Sequence, residues 1–181
     1  EIHCFGKFWP ETTPLPRDTE IKITGAPYVQ KLTPGQKKKC VKNNQIVFAS
    51  QGVISKQLYD FAIEVANLVP QYDIIYRLHP SENSEDFYRP KTLNNFTVSE
   101  KSPPVFEVLK GAEYHAGVFS TTLMEGMALG CKTILINLPG IEYMQPVIDR
   151  GDAICVKTPE EFAEKLPQAP YSKNPDYYYA D

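Results

Sequence analysis

The sequence predicts an α/β domain whose parallel β-sheet is covered by helices on both faces. Three observations carry that prediction. From Gln45 onward, short apolar runs alternate with segments whose apolar residues recur at helical spacing. The short runs are apolar at nearly every position, as strands buried on both faces are. Glycine and proline punctuate the changes between the two patterns.

Taken in order, Ile46 to Ser50 is the first buried strand, and Gln51-Gly52 is its exit turn. Leu58, Phe61, Ala62, Val65, Leu68 and Val69 then mark one helix face, from about Ser55 to Val69, which Pro70 stops. Asp73 to Leu78 is the second strand and ends at His79-Pro80. Ser81 to Leu93 is polar loop with room for one helical turn. Phe96-Thr97-Val98 is a third, short strand. Pro103 and Pro104 suit the first turn of a helix reaching Lys110. Glu113 to Phe119 is the fourth strand, and its helix runs from Thr121 to Leu129 with Gly130 as C-cap. Lys132 to Asn137 is the fifth, followed by a Pro139-Gly140 turn and a helix near Glu142 to Asp149. Ala153 to Val156 is the sixth. The last helix, Pro159 to Leu166, opens with Thr158 as N-cap and Glu161 at N3, a capping box. About six such strands form a Rossmann-like, doubly wound sheet.

Three regions follow. Residues 1–44 read as an irregular linker with one short alternating strand, Glu20 to Gly25, and prolines at 10, 14, 16, 27 and 34. Residues 45–166 are the folded domain. Residues 167–181 are a tail rich in Tyr and Pro, which either packs back across the domain or stays disordered. The opening reads like mid-chain sequence, so the expectation is a piece of a larger protein.

Composition narrows the function. A net charge of -3 gives no support for a nucleic-acid binder, and Lys37-Lys38-Lys39 reads as a solvated face. No apolar run approaches the roughly 18 residues that span a bilayer, and no signal peptide is evident. Cys4, Cys40, Cys131 and Cys155 form no CxxC pair, so reduced structural thiols in a cytoplasmic protein are expected.

Ligands of doubly wound sheets bind beyond the carboxyl ends of the strands. The turns at Gln51-Gly52, His79-Pro80 and Ser120-Thr121-Thr122 all belong to that edge. Three successive hydroxyl residues before a helix suit an anion such as a phosphate, although one of them as a plain N-cap would need no ligand. Glu125 lies one turn deeper among apolar residues, where a ribose diol would be a fitting partner. His79 could donate to a phosphate oxygen or serve as a structural hydrogen bonder. Arg77 could help neutralise a diphosphate or enter a buried ion pair. Gly52 permits close approach of backbone to ligand. There is no GxGxxG, Walker A, HExxH or DxD pattern, so neither a metal nor a separate cofactor is expected.

These residues carry a resemblance. Leu123-Met124-Glu125-Gly126-Met127-Ala128-Leu129-Gly130-Cys131-Lys132-Thr133-Ile134 resembles the E-A-M-A-x-G-x-P-V-I segment in the donor-binding half of GT-B glycosyltransferases. Arg77-Leu78-His79-Pro80 with Phe119-Ser120-Thr121-Thr122 is similar to the paired His-Pro and Ser-Ser/Thr motifs of bacterial capsule-type transferases, the polysialyltransferase and glycerophosphotransferase groups among them. Ile23-Thr24-Gly25-Ala26-Pro27 resembles the V-T-G-N-P connection into the second domain of such proteins. The likeness spans roughly Ile21 to Leu166.

It implies the C-terminal, donor-binding domain of a transferase building bacterial surface polysaccharide. Glu125 would bind ribose, Ser120 to Thr122 the diphosphate, and His79 the donor phosphate as the catalytic contribution. Gln51, Gly52 and Arg77 complete the expected substrate-binding set. Gly117 stands where the retaining group often has a second acid, which favours an inverting or phosphotransfer-like member, and the missing metal motifs make it metal-independent. The partners implied are a nucleotide-sugar donor and a glycan acceptor reached through a preceding domain that would also hold the base, with peripheral association to membrane synthesis machinery. A sugar-nucleotide epimerase of the same fold and a non-catalytic nucleotide-binding module are the alternative readings.

Overall fold

In the computed structural model, the described residues are 1–27, 43–88, 90, 92–100 and 102–180. Lys37-Lys38-Lys39, Pro34 and Cys40 lie outside them.

The main sheet has six parallel strands: β3 (Asn43–Ala49), β4 (Asp73–Arg77), β5 (Phe96–Ser99), β6 (Ala112–Gly117), β7 (Lys132–Ile136) and β8 (Ile154–Val156). Their spatial order is β5-β4-β3-β6-β7-β8. The chain winds outward from β3 in one direction and then, from β6, in the other. The crevice between β3 and β6 is therefore the switch point of the sheet, where such folds bind ligands.

Alternation along the strands sorts the core into two layers. Ile46 and Phe48 of β3 join Tyr76, Tyr114, Ala116 and Ile134 on one face. There they meet α2 (Ser55–Leu68) through Leu58, Ala62 and Val65, and α6 (Pro159–Lys165) through Phe162. Phe162 stacks on Phe48 with ring centroids 5.5 Å apart. Val47 and Leu135 point to the opposite face. That face is covered by α3 (Val105–Gly111) through Leu109, α4 (Thr122–Ala128) through Leu123 and Met127, and α5 (Gln145–Asp149) through Val147.

The element ends differ from the sequence reading in instructive ways. Pro103 and Pro104 do not enter the helix: Pro104 is its N-cap, with ψ 148°. Its ring fixes φ there, while the first helical turn belongs to Val105. The fourth strand ends at Gly117, so Val118 and Phe119 form the approach to the following turn. The segment near Glu142 divides into a 3₁₀ turn, Ile141–Met144, and the short α5. Gly130 takes the left-handed conformation expected of it, with φ +75°. Cys131 N–H reaches Gly126 carbonyl at 2.8 Å and Gly130 N–H reaches Met127 carbonyl at 3.0 Å, a Schellman closure.

The first residues are more ordered than their prolines suggest. β1 (Ile2–Cys4) pairs in parallel with β2 (Ile21–Ile23), and α1 (Phe8–Thr12) lies between them. The tail packs back. Tyr178 is fully buried and donates to buried Asp152 at 2.7 Å, and Ala180 N–H bonds Phe5 carbonyl at 2.8 Å.

Candidate functional site at the sheet switch point

The turns leaving β3, β4 and β6 converge, and side chains from other turns hold each one in place. Gln51 follows β3 in extended conformation, and its Oε1 accepts the Phe119 N–H at 3.0 Å. That bond ties the exits of β3 and β6 together across the switch point. Glu82 clamps the turn after β4. Its Oε1 accepts from Ser50 Oγ at 2.9 Å and its Oε2 accepts the His79 N–H at 2.6 Å. Ser50 is buried and receives the Tyr76 hydroxyl at 2.9 Å.

His79 is exposed, and its Nδ1 lies 2.7 Å from Ser81 Oγ. Ser81 N–H also donates to Nδ1, at 3.2 Å. The amide assigns Nδ1 as acceptor, so the neutral ring carries its proton on Nε2. Arg77 is buried at the end of β4 and donates from Nη1 to Ser99 Oγ at 3.0 Å; burial lowers its pKa.

At the turn after β6, Ser120 Oγ and Thr122 Oγ1 are 2.9 Å apart. Ser120 Oγ also meets the Thr122 N–H at 3.4 Å, a long capping bond. Among the described residues, no acceptor takes the N–H groups of Ser120 and Thr121. Thr121 is exposed and makes no side-chain cap.

Two neighbouring cavities open onto these groups. One, of about 310 Å³, is largely apolar and bounded by Leu78, Pro80, Pro104 and Val105, with Arg77 and Ser50 at its base. The other, of about 510 Å³, is lined by Gln51, Gly52, Phe119 and Thr121. His79 and Ser120 line both. Gly52 has ordinary backbone geometry, and a Cβ placed there would have Ser81 Oγ at 3.7 Å as its nearest neighbour. The fold does not need this glycine; a side chain would simply take space from the cavity.

The structure thus brings together Gln51, Gly52, Arg77, His79, Ser120, Thr121 and Thr122 around one pair of cavities. Glu125 is half-buried on α4, one turn past Thr121, and lines neither cavity. Sequence reasoning missed Ser50, Glu82 and the apolar wall of Pro80, Pro104 and Val105. It also missed the structural bond of Gln51. One signal was present: Glu82 stands three residues after His79, the spacing at which a side chain can accept the N–H that opens a turn.

Beneath α4, His115 is fully buried on β6, and neither ring nitrogen has a hydrogen-bond partner among the described residues. A Cβ at Gly126 would lie 2.4 Å from its Nδ1, so α4 sits directly on the imidazole. Burial drives the His115 pKa down to about 3, which keeps the ring neutral.

No protein-family model matches the chain, and no curated protein matches it in sequence. A solved structure does match in shape. It is the spinosyn rhamnosyltransferase SpnG, with a TM-score of 0.54 over 75% of this chain at 14% identity. The fold is one half of the GT-B type. This chain spans 39% of the length of SpnG. Among the described residues no helix is long and apolar enough to cross a membrane.

Proposed function

We propose that this chain is the donor nucleotide-sugar-binding domain of a glycosyltransferase that builds a bacterial surface polysaccharide. The observation that carries the reading is the placement of His79 and Ser120 on the shared rim of two cavities at the sheet switch point. The apolar cavity between Pro80 and Pro104 suits a nucleobase. The cavity beside it, which carries Gln51, His79, Ser81, Ser120 and Thr121, suits the phosphates.

In this reading the catalytic share of the domain is electrostatic. As the glycosyl bond breaks, negative charge grows on the departing phosphate. The His79 Nε2–H, the hydroxyls of Ser120 to Thr122 and the N–H groups of Ser120 and Thr121 supply fixed donors for that charge. Arg77 contributes a cation from below, and the ribose role of Glu125 requires its side chain, which lines neither cavity here, to turn toward the site. The donor set stabilises the leaving group without a metal. With Gly117 in place of a second acid, the reaction inverts the anomeric centre. A base on a preceding domain deprotonates the glycan acceptor. The protein works in the cytoplasm beside the membrane synthesis machinery.

Calorimetry with CMP, CDP, UDP and GDP tests this. At least one binds, and Ser120→Ala weakens it. Absence of binding by all four at millimolar concentration overturns the reading. Glu125→Ala weakens a ribonucleotide more than its 2′,3′-dideoxy analogue; equal losses contradict the ribose role.

A further inference from the structure

We propose that Glu82 is a positioning residue for the donor phosphate: anchored to Ser50, it holds the turn after β4 so that His79 presents its Nε2–H to the cavities it lines. This rests on the nucleotide-sugar reading above. The turn is His79-Pro80-Ser81-Glu82, and its ends bond each other in both directions. Glu82 N–H donates to His79 carbonyl at 2.9 Å, and His79 N–H donates back to Glu82 Oε2 at 2.6 Å. Pro80 fixes φ at the second position, where such turns favour it.

The anchoring is the first argument. The backbone bond alone would close the turn and leave it to swing on the end of β4. Glu82 Oε1 prevents that by accepting from Ser50 Oγ at 2.9 Å. Ser50 lies at the exit of β3, and its N–H bonds Arg77 carbonyl at 2.9 Å. The Tyr76 hydroxyl lies 2.9 Å from Ser50 Oγ and 2.9 Å from the Ser55 carbonyl at the start of α2. Burial raises the Tyr76 pKa, so that hydroxyl stays a donor. At neutral pH a carboxylate only accepts, so Ser50 gives its single proton to Glu82.

The way the carboxylate faces is the second. Glu82 lines neither of the two cavities that His79 and Ser120 share. It lines the neighbouring cavity, of about 630 Å³, together with Glu85 and Glu100. A carboxylate among the phosphates would repel them. On the far side of the turn it leaves the phosphate side to donors.

The ring is the third. Ser81 N–H reaches His79 Nδ1 at 3.2 Å only while the turn keeps its shape, and Ser81 Oγ lies 2.7 Å from the same nitrogen. Those bonds leave Nε2 as the nitrogen that carries the proton of the neutral ring. A phosphate oxygen only accepts, so a ring turned the other way, with a bare nitrogen at the cavity, binds it worse. Glu82 thus touches no ligand and acts through His79.

The role needs both oxygens of Glu82 and its full length. Glu82→Gln keeps an oxygen for the His79 N–H and offers its amide nitrogen to Ser50 Oγ, which can accept. Glu82→Asp keeps the charge but is one methylene shorter, so it cannot bridge Ser50 and His79 together.

The test is a double-mutant cycle on the 181-residue chain, read by calorimetry with whichever of CMP, CDP, UDP and GDP binds best. Glu82→Ala weakens that nucleotide about tenfold when His79 is present, and by less than about twofold in the His79→Ala background. Glu82→Gln stays within about threefold of the unmodified chain, and Glu82→Asp falls between the two. Amide hydrogen exchange followed by NMR quickens at His79 and Ser81 in Glu82→Ala and not in Glu82→Gln. Equal losses with and without His79 overturn the positioning role, because Glu82 would then act on the fold or on the ligand itself. So does a Glu82→Ala chain that binds as tightly as the unmodified one. Should Glu82→Ala fail to fold by circular dichroism, Glu82→Asp takes its place in the same cycle and is judged by the same outcomes. If no nucleotide binds the unmodified chain, the nucleotide-sugar reading fails first and the role of Glu82 falls with it.

Discussion

Two helix starts in this molecule solve the same problem in opposite ways. At α6, the orphan N–H groups are satisfied from within. Thr158 Oγ1 accepts the Glu161 N–H at 3.2 Å, Glu161 Oε2 accepts the Lys157 N–H at 2.6 Å, and Pro159 at N1 has no N–H to satisfy. At α4, the Ser120 and Thr121 carbonyls accept the Leu123 and Met124 N–H groups at 3.1 Å, but the side-chain cap is weak: Ser120 Oγ meets the Thr122 N–H at a long 3.4 Å, and the hydroxyls there bond each other. The seats differ too. α6 rests on an apolar stack of Phe162 and Phe48, whereas α4 rests on the unpartnered imidazole of His115. The closed start serves the fold. The open one leaves the Ser120 and Thr121 N–H groups without an acceptor among the described residues, on residues that line cavities at the ligand edge of the sheet.

Breaking the closed helix at its seat has the largest expected effect. Phe162→Ala costs about 4 kcal/mol of stability in chemical denaturation and leaves the nucleotide affinity of the folded fraction unchanged. Removing the histidine that shares the cavities with the open start moves binding instead. His79→Ala weakens the nucleotide by about 2 kcal/mol, roughly thirtyfold, in calorimetry, with little change in denaturation midpoint. A change confined to stability would contradict the distinction between the two starts.

Acid sharpens the contrast between the seats. The folded His115 pKa lies below its unfolded value, so the unfolded chain binds the extra proton first. The stability from keeping His115 neutral is full above pH 6.5 and falls by about 1 kcal/mol per pH unit on the way down toward pH 3. In urea titrations at pH 7, 6 and 5, His115→Gln flattens that slope. An unchanged slope would show that other groups set it. The smallest effect comes from the cap of α6. Thr158→Ala costs about 1 kcal/mol of stability and leaves nucleotide affinity unmoved in calorimetry.

What the sequence revealed, and what it hid, follows from the range of the interactions. The six strands and α2 were legible because Ile46 to Ala49 and Leu58 to Val65 carry their burial in their spacing. β1 was not, because Ile2 to Cys4 is a strand only through pairing with Ile21 to Ile23. At the site, His79 and Ser120 to Thr122 stood out through residue type and position at strand ends. Glu82 did not, nor did the structural bond of Gln51. Their partners are Ser50 and Phe119, and the bonds to them span 32 and 68 residues. The box before α6 also differed in one detail: Glu161 returns to Lys157 rather than to Thr158 itself, because the N–H it accepts lies one residue earlier.

The contact between Gly126 and His115 has an evolutionary consequence. Neither position is free to drift alone. A lineage that gains a methyl at 126 must first shrink the residue at 115, and one that enlarges 115 must keep glycine in the helix above it. Descendants of this chain should therefore carry the two sites as a matched pair, changing together or not at all.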